Sequence, residues 1–294
     1  MAKKQRKKSI TQEFRTELHN KLAIGEKRAD AKKNNTDYEK IFSYNTLHTY
    51  QKQSKNYAKW AREKHGCKSM KDARPFVEEY LNQKILDGCS ASTVKTYACS
   101  ICKAYSMRTT ELDIEFPKRE RKDIIRSRLD VEERRIPDKE VVQVAKHTGL
   151  RRSELTSLHP EQLKCWKGKY YIEGVHGKGG KLRNVPISNN DAATIEIIKK
   201  ATPGERVFSS SQMKSVQDIH SYRREYVQNM YMKEAEPIEA IKGEKMIVNG
   251  KQVSRVYTCR KDGKGYKLDR KAMLKVSKWV GHNRVSVMAG HYIL

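Results

Sequence analysis

The chain has 294 residues, of which 37% are hydrophobic, so it is long enough for two ordinary domains that each bury a core. Its 62 Lys and Arg against 35 Asp and Glu give a formal net charge of +27, which favours a polyanionic partner, nucleic acid first. A membrane partner would need an apolar anchor or a lipidation signal, and we find neither. No apolar run approaches the ~20 residues of a membrane span, and the start "MAKKQRKKSI" lacks the apolar core of a secretory signal. These features predict an intracellular protein.

Six scattered cysteines are expected to be free thiols in a reducing compartment. Cys99 and Cys102 form a CxxC, but they lie in a helical pattern, and no second CxxC or nearby His pair completes a zinc site. We therefore expect ordinary packing at these positions and no bound metal.

Residues 1–35 are rich in Lys and Arg and contain few large apolar residues. This composition predicts a basic N-terminal arm, mobile or partly helical, that cannot bury a core of its own. A solvated tail and an arm that gains order on DNA are equally open alternatives.

Residues 36–125 have the pattern of a small helical domain. Apolar residues recur at helical spacing in two stretches: Leu47, Tyr50, Tyr57 and Trp60, then Val94, Ala98, Ile101 and Tyr105. Lysines such as Lys52, Lys55 and Lys59 fall on the polar face of the first stretch, a placement suited to phosphate contacts.

The charged segment 115–140, with a proline near each end, predicts a linker and a domain boundary near 125–135. The following domain, 131–294, begins with a helix, a turn at Gly149 and a second helix. The stretch "KYYIEGVHGKGGKLRNVPI" predicts two strands joined by a Gly-rich turn. Helical patterns resume at "NNDAATIEIIKKA", "VQDIHSYRREYVQNMYMKEAE" and "DRKAMLKVSKWVG", so this domain is expected to be mostly helical with one small sheet.

Several segments resemble, in order, the motifs of one family. "TGLRRSEL" is similar to the first arginine box, "HGKGGKLRNVPI" to the lysine hairpin, and "VSKWVGHNRVSVMAGHYIL" to the closing His and Tyr boxes of the tyrosine recombinases, the integrase family of site-specific DNA recombinases. More weakly, "TLHTYQKQSKNYAKWAREKHG" and "SASTVKTY" resemble the core-binding domain of that family.

The resemblance implies a mainly α fold with a small β-sheet, in which a helical core-binding domain (36–125) precedes a mixed, mostly helical catalytic domain (131–294). It also implies cleavage and rejoining of DNA through a covalent 3′-phosphotyrosine, without metal or other cofactor. Double-stranded DNA, self-association to a tetramer on paired sites, and an accessory DNA-bending protein are the partners implied. The expected location is the bacterial cytoplasm, in association with the nucleoid.

Two arginines would neutralise the charge that builds up on the phosphate oxygens during cleavage. Arg151 matches the first of them. Arg152 is its rival, although successive helical residues point about 100° apart, so that only one can face the phosphate. Glu154 is expected to orient the arginine or a neighbouring histidine, with a simple surface carboxylate as the alternative.

Lys178 corresponds to the hairpin lysine that acts as general acid toward the leaving 5′ oxygen in the family, and Lys181 is its rival. A solvated turn lysine is the alternative for both.

The family's second arginine usually lies in a HxxR motif about two dozen residues before the closing His. In that interval the chain reads "YTCRKDGKGYKLD", which gives Arg260 the arginine place and puts Tyr257 where His is usual. Arg255 is the rival. A role for Tyr257 in proton transfer is in question, because a phenol is a poor proton acceptor at pH 7.

His282 matches the closing histidine of the family, and Tyr292 matches its nucleophile. The two are ten residues apart where nine is common, and a loop at "SVMAG" is expected to absorb the extra residue. His291 either helps to deprotonate the tyrosine or contacts DNA, and both possibilities are open.

Integration or excision of a phage or other mobile element is the role expected by analogy. A resolvase, a type IB topoisomerase-like enzyme and a non-catalytic DNA-binding protein on a recombinase scaffold are the alternatives.

Overall fold

The computed structural model describes residues 8–119, 137–177, 182–215, 218–260, 263–282 and 284–293. The chain divides into two compact units, Met1–Ile125 and Arg126–Leu294. Most of the expected linker, residues 120–136, lies outside the described residues. None of the helices in the described ranges is both long and apolar enough to cross a membrane.

The first unit is helical. Its helices are α1 (Ile10–Asn20), α2 (Arg28–Lys33), α3 (Tyr44–His65), α4 (Met70–Ala73), α5 (Val77–Leu86) and α6 (Ala91–Ala104). Serine side chains cap α3 and α6 by accepting a hydrogen bond from the third backbone N–H of each helix, at Ser43 and Ser90. The apolar faces of α1, α3, α5 and α6 pack into one core, as the helical periodicity predicts.

Part of the expected basic N-terminal arm, Ile10–Asn20, is helical and belongs to this core, which it shares with the helices that follow. Helix α1 begins at a capping box between Ser9 and Gln12 and buries Ile10, Phe14 and Leu18. The Phe14 ring packs edge-on against the Tyr57 ring, with centroids 5.8 Å apart. Three apolar residues at a spacing of four form a continuous stripe, and α3 supplies the surface that the segment lacks by itself.

The second unit is mostly helical with small sheets. Its helices are α7 (Lys139–Thr148), α8 (Arg152–Thr156), α9 (Ala192–Lys199), α10 (Ser210–Ser215), α11 (Ile219–Glu234), α12 (Arg270–Trp279) and α13 (Val285–Met288). Strands β1 (Leu163–Trp166), β2 (Lys169–His176) and β3 (Leu182–Pro186) form one antiparallel sheet in the order β1-β2-β3. The hairpin predicted for β2 and β3 and the mainly α fold class are therefore confirmed.

Further strands follow α11, where the sequence analysis expected none. They are β4 (Lys245–Val248), β5 (Lys251–Ser254), β6 (Val256–Thr258) and β7 (Lys267–Asp269), which form two separate two-stranded sheets. The expectation of one small sheet is therefore wrong. The overlooked signal is Asn249-Gly250 between alternating residues, the pattern of a two-residue hairpin turn in which both residues have positive φ.

Arg255, the rival for the second arginine, lies at the base of this inserted region. Its guanidinium forms ion pairs with Glu236, Glu244 and Asp269, at 2.7 Å to Glu244 and 3.1 Å to Asp269. Because its donors are engaged by three carboxylates, Arg255 anchors the β4–β5 hairpin to the start of α12.

Candidate active site

Six polar side chains from five elements of the second unit meet in one cluster. They are Arg151, Glu154, Arg183, Arg223, His282 and Tyr292. They come from the start of α8, from β3, from α11, from the turn after α12 and from the last helical turn.

Arg151 enters the cluster because of the turn between α7 and α8. Helix α7 ends at Gly149, whose φ of +58° reverses the chain, and Arg151 then caps the start of α8. Its Nη1 donates to Glu154 Oε1 at 2.8 Å, and its backbone N–H donates to Glu154 Oε2 at 2.7 Å. The neighbouring Arg152 is exposed and donates to the carbonyl of Met213, so the two arginines point apart.

Glu154 is the shared acceptor of the cluster. Besides Arg151, it accepts a hydrogen bond from Arg183 Nη2 at 2.7 Å, and Arg223 Nη1 lies 3.9 Å from the same oxygen. Burial favours the neutral acid, but the hydrogen bonds from Arg183 and Arg151 outweigh it and hold the pKa of Glu154 below its ordinary value. One buried carboxylate therefore faces three guanidinium groups, which leaves an excess of positive charge suited to an anion.

Arg223 on α11 is completely buried. It donates to the backbone carbonyls of Gly149 and Val280, and its Nε lies 3.2 Å from the hydroxyl of Tyr292. Burial lowers the pKa of Arg223, although a guanidinium remains charged in proteins. The side chain thus brings a desolvated positive charge to the tyrosine hydroxyl.

Sequence reasoning missed Arg223, and the structure does not bring its chosen substitutes into the cluster. Arg260 is exposed, in the loop after β6, and the described residues show no hydrogen bond or ion pair between it and the cluster. Tyr257 lies in β6, beneath the guanidinium of Arg270. The available signal was "HSYR", residues 220–223, which has the His-x-x-Arg spacing sought further along the chain. Arg223 lies 59 residues before His282, because strands β4 to β7 lie between them. The family spacing of about two dozen residues therefore pointed to a different arginine.

His282 follows α12 across a tight turn at Gly281, whose φ is +68°. Its backbone N–H donates to the carbonyl of Ser277 at 2.7 Å, and the Ser277 hydroxyl donates to the His282 carbonyl at 2.7 Å, which fixes the turn. The ring Nε2 lies 3.1 Å from the Tyr292 hydroxyl. Burial and the nearby guanidinium groups, Arg223 first, lower the pKa of His282 to about 4. The imidazole is therefore neutral at physiological pH.

Tyr292 lies in a single turn of π-helix, Ala289–Ile293, that continues α13. Its side chain is buried, and the backbone of the turn is held by α11, since Arg224 donates to the Tyr292 carbonyl and Gln228 to the Ile293 carbonyl. The loop expected at "SVMAG" is not found, because these residues are helical. A π-helical turn holds more residues than an α-helical turn and thus accommodates the ten-residue spacing from His282. The neighbouring His291 is exposed. The structure thus places His282, and not His291, on the tyrosine hydroxyl.

The hairpin lysine candidates, Lys178 and Lys181, lie outside the described residues. The described residues include no group of three or more His, Cys, Asp or Glu side chains arranged to hold a metal ion.

Comparison with known proteins gives a family and a fold. Residues 118–240 match the model of the phage integrase family, a range that includes Arg151, Arg183 and Arg223 and ends before Arg260. No curated protein matches the chain.

Among solved structures, the chain is similar to the XerH site-specific recombinase bound to a palindromic difH substrate in a post-cleavage complex. The TM-score is 0.50 and the identity 13%, with 95% of this chain and 89% of that chain covered. A second match is the Tn1549 transposon integrase (aa 82-397) in complex with circular intermediate DNA, with a TM-score of 0.42, 13% identity and coverage of 79% and 90%. The first of these likenesses supports the fold assignment, and the family model supplies the assignment to a family. Residues 118–240 therefore carry the domain of the phage integrase family, the tyrosine recombinases that the sequence motifs resemble.

Proposed function

We propose that the protein is a site-specific DNA recombinase that cleaves and rejoins DNA strands through a 3′-phosphotyrosine link at Tyr292. One observation carries the proposal. The Tyr292 hydroxyl lies 3.2 Å from Arg223 Nε and 3.1 Å from His282 Nε2, beside a carboxylate-held Arg151. A nucleophile, a proton acceptor and cationic groups for a phosphate thus stand together.

In the proposed cleavage step, the Tyr292 oxygen attacks phosphorus and the bond from phosphorus to the 5′ oxygen breaks. The neutral imidazole of His282 is placed to accept the hydroxyl proton, and Arg223 favours the phenolate that forms. Arg223 and Arg151 would stabilise the additional negative charge on the phosphate oxygens. The DNA 5′ oxygen leaves with a proton, which the family resemblance assigns to Lys178.

Rejoining is the reverse reaction with another strand. A 5′ hydroxyl attacks the phosphotyrosine, and the tyrosine oxygen leaves and regains its proton. The energy of the phosphodiester is kept in the covalent link, so the proposed reaction needs no ATP. The arginines carry the charge stabilisation that a metal ion would otherwise supply, so it needs no metal ion either.

The proposed partner is double-stranded DNA, and the net charge of +27 supports it independently of the motifs. Assembly as a tetramer on paired sites, an accessory DNA-bending protein, a location at the bacterial nucleoid and a role in integration or excision of a mobile element are proposed from the family resemblance. The XerH recombinase, to which the chain is similar in fold, is bound to its difH substrate in the post-cleavage complex, which is consistent with this role.

The experiment is covalent capture of DNA. Wild-type protein and the Tyr292→Phe variant are incubated with sheared, enzymatically nicked total DNA of the source organism and then denatured in detergent. DNA that remains attached is sequenced, and the linked peptide is identified by mass spectrometry. We expect attached DNA that converges on one sequence, a nucleotide on Tyr292, and neither in the variant.

A nicked duplex made from the recovered sequence then gives the rate of adduct formation on a denaturing gel. DNA binding by wild type without any adduct would contradict the proposed reaction and favour the non-catalytic DNA-binding alternative. If the protein forms the adduct and relaxes supercoiled DNA but does not exchange strands between duplexes, the topoisomerase alternative would be favoured.

A further inference from the structure

Arg183 is a member of the cluster to which none of the motif assignments gives a role. It lies in β3, with only 8% of its side chain exposed. Its Nη2 donates to Glu154 Oε2 at 2.7 Å, and its Nε donates to the carbonyl of Trp279 at 2.7 Å. One guanidinium therefore connects the sheet to the carboxylate on α8 and to the end of α12.

The guanidinium also lies against the turn that carries His282. A Cβ placed on Gly281 would lie 3.2 Å from Arg183 Nη1 and 3.4 Å from two carbon atoms of the same side chain. The turn can approach this closely because residue 281 has no side chain. A displacement of Arg183 would therefore alter the packing at Gly281, the residue directly before His282.

Burial of Arg183 is costly for its third nitrogen. Within the described residues, Nη1 is buried without a hydrogen-bond partner. An unsatisfied buried donor destabilises a protein, so the position of this side chain calls for an explanation other than stability.

The contacts of Glu154 supply that explanation. Its Oε1 accepts from Arg151 Nη1, while its Oε2 accepts from both Arg183 Nη2 and the Arg151 backbone. Without Arg183, the hydrogen bonds to the carboxylate within the described residues would come from Arg151 alone, and no hydrogen bond from a second element would fix its plane independently of the arginine that it orients. The fork of a guanidinium fixes such a geometry better than an ammonium does.

We propose that Arg183 is a positioning residue for strand cleavage, which orients Arg151 through Glu154 and holds the turn that carries His282. This inference rests on the proposed function, because its effect is exerted on the cleavage step. The phosphate is contacted by the groups that Arg183 orients. Loss of Arg183 is therefore expected to slow cleavage more than it weakens DNA binding.

Arg183→Met tests this, with Arg255→Met as the matched control. Both arginines have side chains 8% exposed and both pair with carboxylates, but Arg255 contacts Glu236, Glu244 and Asp269, outside the cluster. The measurements are the melting temperature, the affinity for the nicked duplex, and the adduct rate at saturating duplex, taken well below the melting temperature. We expect both variants to have a lower melting temperature than wild type. Arg183→Met alone is expected to form adduct about 10- to 100-fold more slowly, while its affinity for the duplex stays within about threefold of wild type.

A double-mutant cycle with Glu154→Gln separates positioning from a general structural effect. If Arg183 acts through Glu154, then Arg183→Met costs far less rate in the Glu154→Gln background than in wild type. Independent, multiplicative losses would overturn the proposal, as would equal slowing by Arg255→Met.

If Arg183→Met does not fold, Arg183→Lys replaces it, because the charge beside Glu154 is kept while the two-point contact is lost. A wild-type adduct rate in Arg183→Lys would overturn the proposal. The proposal is supported if Arg183→Lys slows adduct formation in wild type but not in the Glu154→Gln background. The proposed function fails separately: wild type then forms no Tyr292 adduct at all, and the positioning role falls with it.

Discussion

Arg223 is the residue whose place in the cluster most changes the chemistry. Its guanidinium has no exposed surface, and its Nε contacts the Tyr292 hydroxyl. The His-x-x-Arg spacing at residues 220–223 was legible in the sequence, but only the fold shows that this arginine points inward. An exposed arginine such as Arg260 remains hydrated and would bring a weaker field to a phosphate.

The first prediction contrasts these two arginines. We expect Arg223→Lys to slow adduct formation about 100-fold or more, because an ammonium cannot reproduce the contacts with two carbonyls and the hydroxyl. Arg260→Ala is expected to stay within about twofold of wild type, as a surface substitution. The rate on the nicked duplex decides, and the reverse order of effects would restore Arg260 as the second arginine.

The second prediction concerns His282, whose pKa is lowered to about 4 by burial and by the surrounding guanidinium groups. The charged or titratable groups that act on it are Arg223, Arg151, Arg183 and His291, and the Tyr292 hydroxyl lies at its ring nitrogen. Between pH 6.5 and about 4 the unfolded chain binds a proton that the folded chain does not, so stability falls as the pH falls. Linkage with these two pKa values gives about 2 kcal/mol between pH 7 and pH 5. Because the imidazole is only partly buried, we expect wild type to lose about 1 kcal/mol more than His282→Asn.

Urea unfolding at the two pH values measures this difference, and the comparison with His282→Asn removes the contribution of the other titrating groups. Parallel losses in the two proteins would mean that His282 titrates normally. In that case it would be largely protonated at pH 5 and unsuited to accept a proton there.

At the scale of elements, the turn between α7 and α8 holds the site together. Gly149 has a φ of +58°, and a Cβ there would lie 2.8 Å from Cγ of Tyr226. Its carbonyl also accepts a hydrogen bond from Arg223. Gly149 thus allows the chain to reverse, packs closely against Tyr226 and accepts a hydrogen bond that holds Arg223 in place.

The third prediction uses Gly168 as the control, since its φ is +72° but a Cβ there would meet nothing within 4 Å. Gly149→Ala is expected to cost about 3 kcal/mol of unfolding free energy, and Gly168→Ala about 1 kcal/mol, because only the first adds a clash to the strained backbone. Denaturant unfolding gives both values. Equal losses would show that Tyr226 moves aside at no cost.

The order of helices and the β2–β3 hairpin followed from periodicity, because long amphipathic helices and a Gly-rich turn between β-branched residues are strong local signals. The burial of α1 did not follow, since its three apolar residues acquire meaning only against α3. The insertion from β4 to β7 was missed as structure, and its length displaced the search for the second arginine. Spacing rules fail wherever an insertion of independent structure separates two halves of a site.

Arg183 and Glu154 illustrate a different limit. Glu154 was expected from its place three residues after Arg151 on one helix. Arg183 lies 29 residues further on, and its contact with Glu154 depends on how β3 packs beneath α8 and α12. Long-range contacts of this kind are set by tertiary packing, which periodicity does not encode.

At the scale of the whole molecule, the positive charge and the cluster answer different needs. A net charge of +27 attracts any DNA and makes binding sensitive to salt. In the proposed function the cluster acts on one bound phosphate, and its six side chains come from five elements of a single unit.

The last prediction concerns which chain supplies the nucleophile. Tyr292 is hydrogen-bonded to Arg223 of its own chain, and α11 also holds the backbone of the same turn through Arg224 and Gln228. We therefore expect each active site to use the tyrosine and arginines of one chain. Tyr292→Phe and Arg223→Lys are each assayed alone and as an equimolar mixture on the nicked duplex. If sites were shared between chains, random pairing would restore on the order of a quarter of them. We expect the mixture to form no more adduct than the mean of the two variants measured alone. Each chain lacks one part of its own site, and in this geometry neither Tyr292 nor Arg223 is supplied by another chain.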